Sequence, residues 1–358
     1  MLELVGAAVK YPYGARLFGA VDAVFSDGEI TAVVGGEGSG KTSFLKMLVG
    51  AVETEGSVLL DGVPAGADRN AAVMVFDDGA LFPFRSAAYN IGYPLRVRKA
   101  ARDDRDRRVR EAAEIMDVAA CLPFAVRGLN AEEKRRISLS RLFVREAGLI
   151  VIDEPTGGLS RAEAERVWAR LAPLLRDKAK DGCTVVYSTS DPAEAVSVSD
   201  RIIALHGGEI RQTGTLSDFV TRPADIWAAQ AIEPRYNVAT CTLSEENGVL
   251  KLVFGDGRAL DISALRGRIA AEYVGREVYA GWYPRRTGRP LAALTGEDGF
   301  CEKTAFAQRT LHGAVITTEN GFVVEGEECA ESADIRPSAE GLTLFERNGE
   351  RSIMREDK

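Results

Sequence analysis

The sequence predicts an α/β fold, with a mostly parallel sheet core plus a helical insertion, followed by a small all-β barrel-type (OB-like) domain. Three observations predict it. Residues 1–225 alternate short apolar runs with helix-period segments, the pattern of strands and helices in layers. Residues 85–146 interrupt that alternation with a largely helical stretch rich in mixed charge. Beyond about residue 235, Asn-Gly and Asp-Gly pairs recur between strand-like runs, which is the signal of tight hairpins.

The first domain gives six strand candidates, at residues 30–34, 57–60, 71–76, 149–152, 184–188 and 201–205. Each is short and uniformly apolar, which suits strands buried on both faces. Two helices stand out. In 104–119, Val109, Ala112, Ala113 and Met116 repeat at helical spacing and form one apolar face. The second covers 161–180. The charge run RVRKAARDDRDRRVRE is expected to be a solvated helix face. In the second domain the hairpin turns are expected at Asn247-Gly248, Asp256-Gly257, Asn320-Gly321 and Asn348-Gly349. The link falls near Ile232-Glu233-Pro234, giving domains 1–232 and 233–358.

Composition narrows the function. With 358 residues the chain has room for two or three domains, and 46% hydrophobic with 27% charged residues is ordinary for a soluble globular protein. A net charge of −8 argues against a nucleic-acid partner, because phosphate binding needs a basic face. The five cysteines are scattered without a CxxC, so neither zinc nor a disulfide framework is expected. No apolar run approaches the roughly 18 residues of a membrane span, and the N-terminus lacks a signal peptide's charged start. A cytosolic chain is expected, meeting a membrane only through a partner.

Residues 35–42 are GGEGSGKT, which matches G-x-x-x-x-G-K-[ST]. Gly35, Gly36, Gly38 and Gly40, with Glu37 and Ser39 between them, let backbone N–H groups wrap phosphate oxygens. Lys41 reaches the terminal phosphates, the Thr42 hydroxyl ligates Mg²⁺, and Ser43 follows at the positive start of a helix. A strand, ITAVV, precedes the motif and a helix pattern follows it. This is the phosphate loop of a P-loop NTPase, so ATP and Mg²⁺ are the expected ligands. Residues 149–154, LIVIDE, end a strand in two carboxylates. Asp153 fits as the metal partner and Glu154 as the catalytic group that polarises the attacking water.

GGEGSGKTSFLKMLVG, LIVIDEPTGGLS and YSTSDPAEAVSVSDRIIALHGGEI follow one another in this order. Together they resemble an ABC transporter ATPase subunit. The tail segments YAGWYPRRTG and IRPSAEGLTLFERNGERSI are similar to the β-barrel (TOBE-type) domain of the importer subfamily that handles maltose, other sugars, glycerol phosphate and polyols. The resemblance implies that Tyr13 stacks on adenine and that residues 76–91 face a membrane subunit. It also implies an ATPase at the cytoplasmic face of a bacterial plasma membrane. Its partners would be two permease subunits, a second ATPase subunit and, indirectly, a solute-binding protein.

Four departures stand beside these matches. Asp77 occupies the place of the loop glutamine that contacts Mg²⁺, and its carboxylate is counted with Thr42 and Asp153 among the expected metal ligands. The signature LSGGQ aligns with LNAEE, so Asn130, Ala131, Glu132 and Glu133 replace groups that touch the opposite subunit's γ-phosphate; Glu132 would place an anion there. Ser160 replaces an aspartate, and Ser190 replaces the switch histidine. Asn130 and Glu133 still have the spacing of a capping box, so the helix start is expected to persist. The nucleotide-binding half is kept and the hydrolytic half is altered. The resemblance therefore implies weak intrinsic hydrolysis and a heterodimer with a more complete ATPase, with a fully active homodimer or a nucleotide-regulated interaction protein as alternatives.

Overall fold

The computed structural model describes residues 1–11, 16–68, 70–255, 257, 259–269, 271–283, 286–287, 300–310, 313–318, 323–326, 332–335, 342–346 and 351–354. Tyr13, Asn320-Gly321 and Asn348-Gly349 lie outside the described residues, as does Asp256 of a third hairpin turn. The chain forms two compact units, Met1–Leu216 and Ser217–Lys358.

Unit 1 opens with two strands absent from the sequence expectation, β1 (Leu2–Lys10) and β2 (Arg16–Phe25). After β3 (Ile30–Val34) and helix α1 (Lys41–Leu48) come β4 (Thr54–Leu60), β5 (Val63–Pro64) and β6 (Ala72–Val75). β2, β1, β4 and β5 form an antiparallel sheet in that order. The apolar run at 57–60 is thus a strand, but it pairs with β1 rather than joining the parallel sheet.

Four helices then interrupt the chain: α2 (Ala87–Ile91), α3 (Tyr93–Val97), α4 (Arg102–Ile115) and α5 (Ala131–Ser140). Val109, Ala112 and Ala113 of α4 and Met116 beyond it are buried. The helix stops at Ile115, ahead of the expected 119, because Asp117 turns left-handed at φ 57°. Asp104 pairs with Arg107 and Arg108 across the exposed face, so the charge run is a solvated surface.

The chain returns through β7 (Leu149–Ile152), α6 (Arg161–Lys180), β8 (Thr184–Thr189), α7 (Pro192–Val198), β9 (Arg201–His206) and β10 (Glu209–Gly214). The second sheet has the order β10-β9-β3-β8-β7-β6. It is parallel from β9 to β6, with β10 antiparallel at the edge. β7 and β8 are buried at every residue, as expected of strands covered on both faces. Phe44, Leu45, Met47 and Leu48 of α1 share one core with Leu2 and Leu4 from the first sheet and Val151, Val186 and Ile203 from the second. Each such side chain contributes roughly 1.5–3 kcal/mol of hydrophobic stabilisation, and together they fix the start of α1 against the sheet.

Among the described residues, unit 2 carries α8 (Leu216–Thr221) at its boundary, then α9 (Ile226–Ile232) and two five-stranded sheets. The first contains β11 (Asn237–Glu246), β12 (Val249–Phe254), β13 (Ala259–Asp261) and β14 (Glu277–Trp282). The second contains β15 (Arg286–Thr287), β16 (Phe300–Thr310), β17 (Gly313–Thr318), β18 (Val323–Gly326) and β19 (Ser332–Ile335), and β20 (Leu342–Phe345) completes the first beside β14. At Asn247-Gly248 the chain makes a two-residue hairpin, with φ of 51° and 79° and Glu246 opposite Val249. The division falls at 216/217 rather than at the expected 232/233. The reason is packing: Ala229 of α9 is buried with Tyr236 and Phe345, so this helix belongs to the β unit's own core.

Candidate functional site

β3, β8 and β7 are neighbours in one parallel sheet, so the loops after them meet at one edge. That edge is where parallel α/β sheets bind ligands. The loop after β3 is the glycine-rich segment. A Cβ on Gly35 would stand 2.5 Å from the Leu205 carbonyl oxygen and 2.6 Å from Ser39 Oγ, so only glycine lets the loop turn there. Gly40, at φ 103°, starts α1. Lys41 is buried; its Nζ donates to the carbonyls of Gly35 at 2.7 Å and Gly36 at 3.1 Å and lies 3.1 Å from Glu154 Oε1. The buried Ser39 Oγ has no partner.

The end of β7 supplies the carboxylates. Asp153 is fully buried. Its Oδ1 accepts from Ser188 Oγ at 2.6 Å, and its Oδ2 has no partner. Burial pushes its carboxyl above the usual range, and the hydroxyls of Ser188 and Thr42 work against that rise. Glu154 sits at φ 45°, a left-handed backbone costly for a non-glycine residue. Its N–H donates to Ser188 Oγ at 3.0 Å. Its carboxylate accepts from Ser190 Oγ at 2.6 Å and Ser190 N–H at 3.1 Å.

A cleft of about 820 Å³ opens over these groups, lined from Glu37 through Ser43 and by Asp77, Glu154 and Ser190. Sequence reasoning missed five of its wall residues, Leu17 and Gly158 among them. Tyr11 lines the cleft, with its hydroxyl bonded to that of Ser43. The signal was a second tyrosine two residues before Tyr13 in the sequence. Asp78 and Gly157 also line it.

The altered positions are all held within the chain. Asp77 Oδ1 accepts from the Asp78 N–H at 2.9 Å. Asn130 caps α5 as expected: its Oδ1 accepts from Glu133 N–H at 2.8 Å, and Glu133 Oε2 accepts from Asn130 N–H at 3.0 Å. Ala131 begins the helix. Glu132 is paired within the chain. It accepts from Arg136 at 2.7 Å and from Arg166 at 2.6 Å, so its charge is answered inside the chain and its pKa is lowered, Arg166 contributing most. Ser160 caps α6 and donates its N–H and Oγ to Glu163, at 2.9 and 2.6 Å. Ser190 directs its hydroxyl to Glu154.

A magnesium nucleotide fits the residues present. Asp153 Oδ2 and Ser39 Oγ are buried polar atoms without partners, which native structures rarely leave unsatisfied. Thr42 and Asp153 are the residues that would hold the metal, and the loop N–H groups with Lys41 would hold phosphates.

The ABC transporter family profile matches residues 18–157. The sn-glycerol-3-phosphate import ATP-binding protein of Burkholderia mallei is 31% identical over 329 residues, covering 87% of each chain. The protein of that description from Burkholderia thailandensis is 32% identical over 307 residues, covering 82% of each. An uncharacterized ABC transporter ATP-binding protein of Sinorhizobium fredii is 34% identical over 255 residues, covering 69% of this chain and 68% of its own. Among solved structures, a dimeric post-hydrolysis ATP-binding cassette bound to ADP and phosphate superposes with a TM-score of 0.54 at 24% identity. It covers 60% of this chain and 99% of its own length, and shows the fold.

Proposed function

The chain belongs to the ABC transporter ATP-binding proteins of the sugar-importer type, and from that premise we propose that it is the altered partner in a heterodimeric importer ATPase. The solute is a sugar, glycerol phosphate or a related polyol, by analogy with the named relatives. Two permease subunits, a solute-binding protein and a second, more complete ATPase subunit are its partners. It sits on the cytoplasmic face of the membrane through the permease; no helix among its described residues is long and apolar enough to cross.

The observation that carries this reading is one cleft with two kinds of wall. The phosphate loop and Asp153-Glu154 are complete, while Ser190 and Asp77 stand where the resemblance expects histidine and glutamine. Magnesium–ATP, when bound, supplies the phosphoanhydride whose hydrolysis drives transport. This chain's residues bind and orient it. Loop N–H groups cradle the phosphates, and Lys41 exchanges two carbonyl partners for phosphate oxygens. Glu154 accepts a proton from water, with Ser190 fixing its carboxylate. Ser190 has a shorter reach than histidine, and phosphoryl transfer depends on positioning, so turnover by this chain alone is slow.

A second reading is a fully active homodimer. The grip of Ser190 on Glu154 and the neutralised Glu132 favour it. One experiment separates the two: Mg–ATP affinity and turnover of the purified chain, alone and reconstituted with permease subunits, with and without the second ATPase. Binding with little turnover, and transport only with the second ATPase, is expected. Turnover by the chain alone at ordinary transport-ATPase rates, abolished in Glu154→Gln, would sink the heterodimer reading.

A further inference from the structure

The basic run Lys134-Arg135-Arg136 on α5 is only partly explained by helix capping and the Glu132 pair. Arg136 holds Glu132. Arg135 instead points toward the cleft's outer wall. Its Nη2 donates to the Asp77 carbonyl at 2.5 Å and to the Gly157 carbonyl at 2.8 Å. Asp77 and Gly157 lie on separate loops, after β6 and β7, and both line the nucleotide cleft. The Gly157 N–H donates in turn to the Glu154 carbonyl at 3.0 Å. One guanidinium therefore spans the two loops, one bond removed from the catalytic carboxylate's own backbone. Arg135 Nη1 is buried with no partner.

The charge environment points the same way. Burial lowers the Arg135 pKa, and the carboxylates of Asp77, Asp78, Glu154 and Asp153 oppose that fall. Asp77, Asp78 and Glu154 line the cleft, and the buried Asp153 adjoins Glu154 in the chain. A polyanionic nucleotide is poorly matched to four carboxylates unless fixed cations answer them. Lys41 is one such cation, and Arg135 is a second, placed behind the wall. α5 holds the rest of the Asp77 loop as well: Ser138 Oγ donates to the Gly79 carbonyl at 3.3 Å, and Arg141 donates to Gly79 at 2.9 Å and Ala80 at 3.1 Å.

We propose that Arg135 is a positioning residue of this chain's nucleotide site, tying the Asp77 loop to the Gly157 loop and supplying the positive charge that makes Asp77 compatible with a bound nucleotide. The inference rests on the nucleotide-binding part of the function above and adds a residue to it. Asp77 and Arg135 then act as a pair: the acid at the cleft wall is tolerated because the arginine stands behind it.

The test is a titration of the full-length chain with a fluorescent ATP analogue and Mg²⁺, together with melting of the nucleotide-free chain. Arg135→Gln is expected to weaken binding about tenfold and to lower the melting temperature. Arg135→Lys, which keeps the charge, is expected to stay within about threefold of wild type. Adding Asp77→Asn to Arg135→Gln is expected to recover most of both losses, since one charge no longer needs answering. Equal losses in Arg135→Gln and Arg135→Lys, without recovery in the double variant, overturn the charge role. Unchanged binding in Arg135→Gln overturns the proposal altogether. Lys41→Ala is the control for the underlying reading. If wild type and Lys41→Ala titrate alike, the nucleotide is not held at this loop and the underlying reading fails; if Lys41→Ala weakens binding and Arg135→Gln matches wild type, only the Arg135 proposal fails.

Discussion

The phosphate-loop side of the cleft and the altered positions, of which Asp77 and Ser190 line the cleft, handle their polar groups in opposite ways. On the first side, Ser39 Oγ and Asp153 Oδ2 are buried and unpartnered. On the second, the groups at the replaced positions have found partners at home. Glu132 has Arg136 and Arg166, Ser160 has Glu163, Ser190 has Glu154, and Asn130 has Glu133. A buried polar atom without a partner costs free energy unless a ligand completes it, so the first side remains built to receive one. The second side shows how a site changes without unfolding: each new residue is absorbed by a local hydrogen bond or ion pair, and the helix starts survive.

That contrast can be broken most directly at Lys41. Lys41→Ala should reduce Mg–ATP affinity by a hundredfold or more, since a buried charge-assisted contact to phosphate is lost; fluorescent-nucleotide titration measures it, and a change under threefold would place the ligand elsewhere. Gly35→Ala comes next. Its Cβ would meet the Leu205 carbonyl oxygen at 2.5 Å, a backbone atom that cannot swing away. A loss of about 3 kcal/mol in unfolding free energy is expected, read by urea denaturation without nucleotide.

Two smaller effects sharpen the second side. Asn130→Ala should cost about 1 kcal/mol, the ordinary worth of an N-cap. Chemical denaturation checks it, and the absence of any loss would mean that the capping box is idle. The last concerns Glu194, buried on α7 and accepting from the hydroxyls of Thr156 and Thr189. Burial raises its carboxyl pKa. A raised carboxyl favours the folded chain fully only below its ordinary value, and that contribution is lost as pH rises through the raised one. Glu194→Gln should therefore gain on wild type in melting temperature as pH rises above the ordinary glutamate range. A difference between the two proteins that does not change with pH would show that Glu194 is not titrating there.

Much of this was legible in the sequence, and what was legible was local. Residues 35–42 carry their chemistry in consecutive positions, and 30–34, 149–152 and 161–180 became β3, β7 and α6 with unchanged bounds. The capping box at Asn130 was visible from a three-residue spacing. β1 and β2 were not, because their apolar and polar residues alternate irregularly, and β1 carries register shifts between Leu4 and Val9. The sequence pointed to Tyr13 for adenine stacking, while Tyr11 is the described tyrosine on the cleft wall.

By itself the sequence determined that the first domain carries a phosphate-loop motif, that a β-rich unit follows, and which family positions had changed. Those facts depend on residues adjacent in the chain, where spacing alone fixes geometry. Only the tertiary structure decided what the changes mean. Glu132 meets Arg166 across 34 positions, Ser190 meets Glu154 across 36, and Arg135 meets Asp77 across 58. Whether a substituted charge is exposed to a ligand or answered by a neighbour depends on such distant pairs, and they are set by how the sheet and helices pack, which no spacing along the chain records.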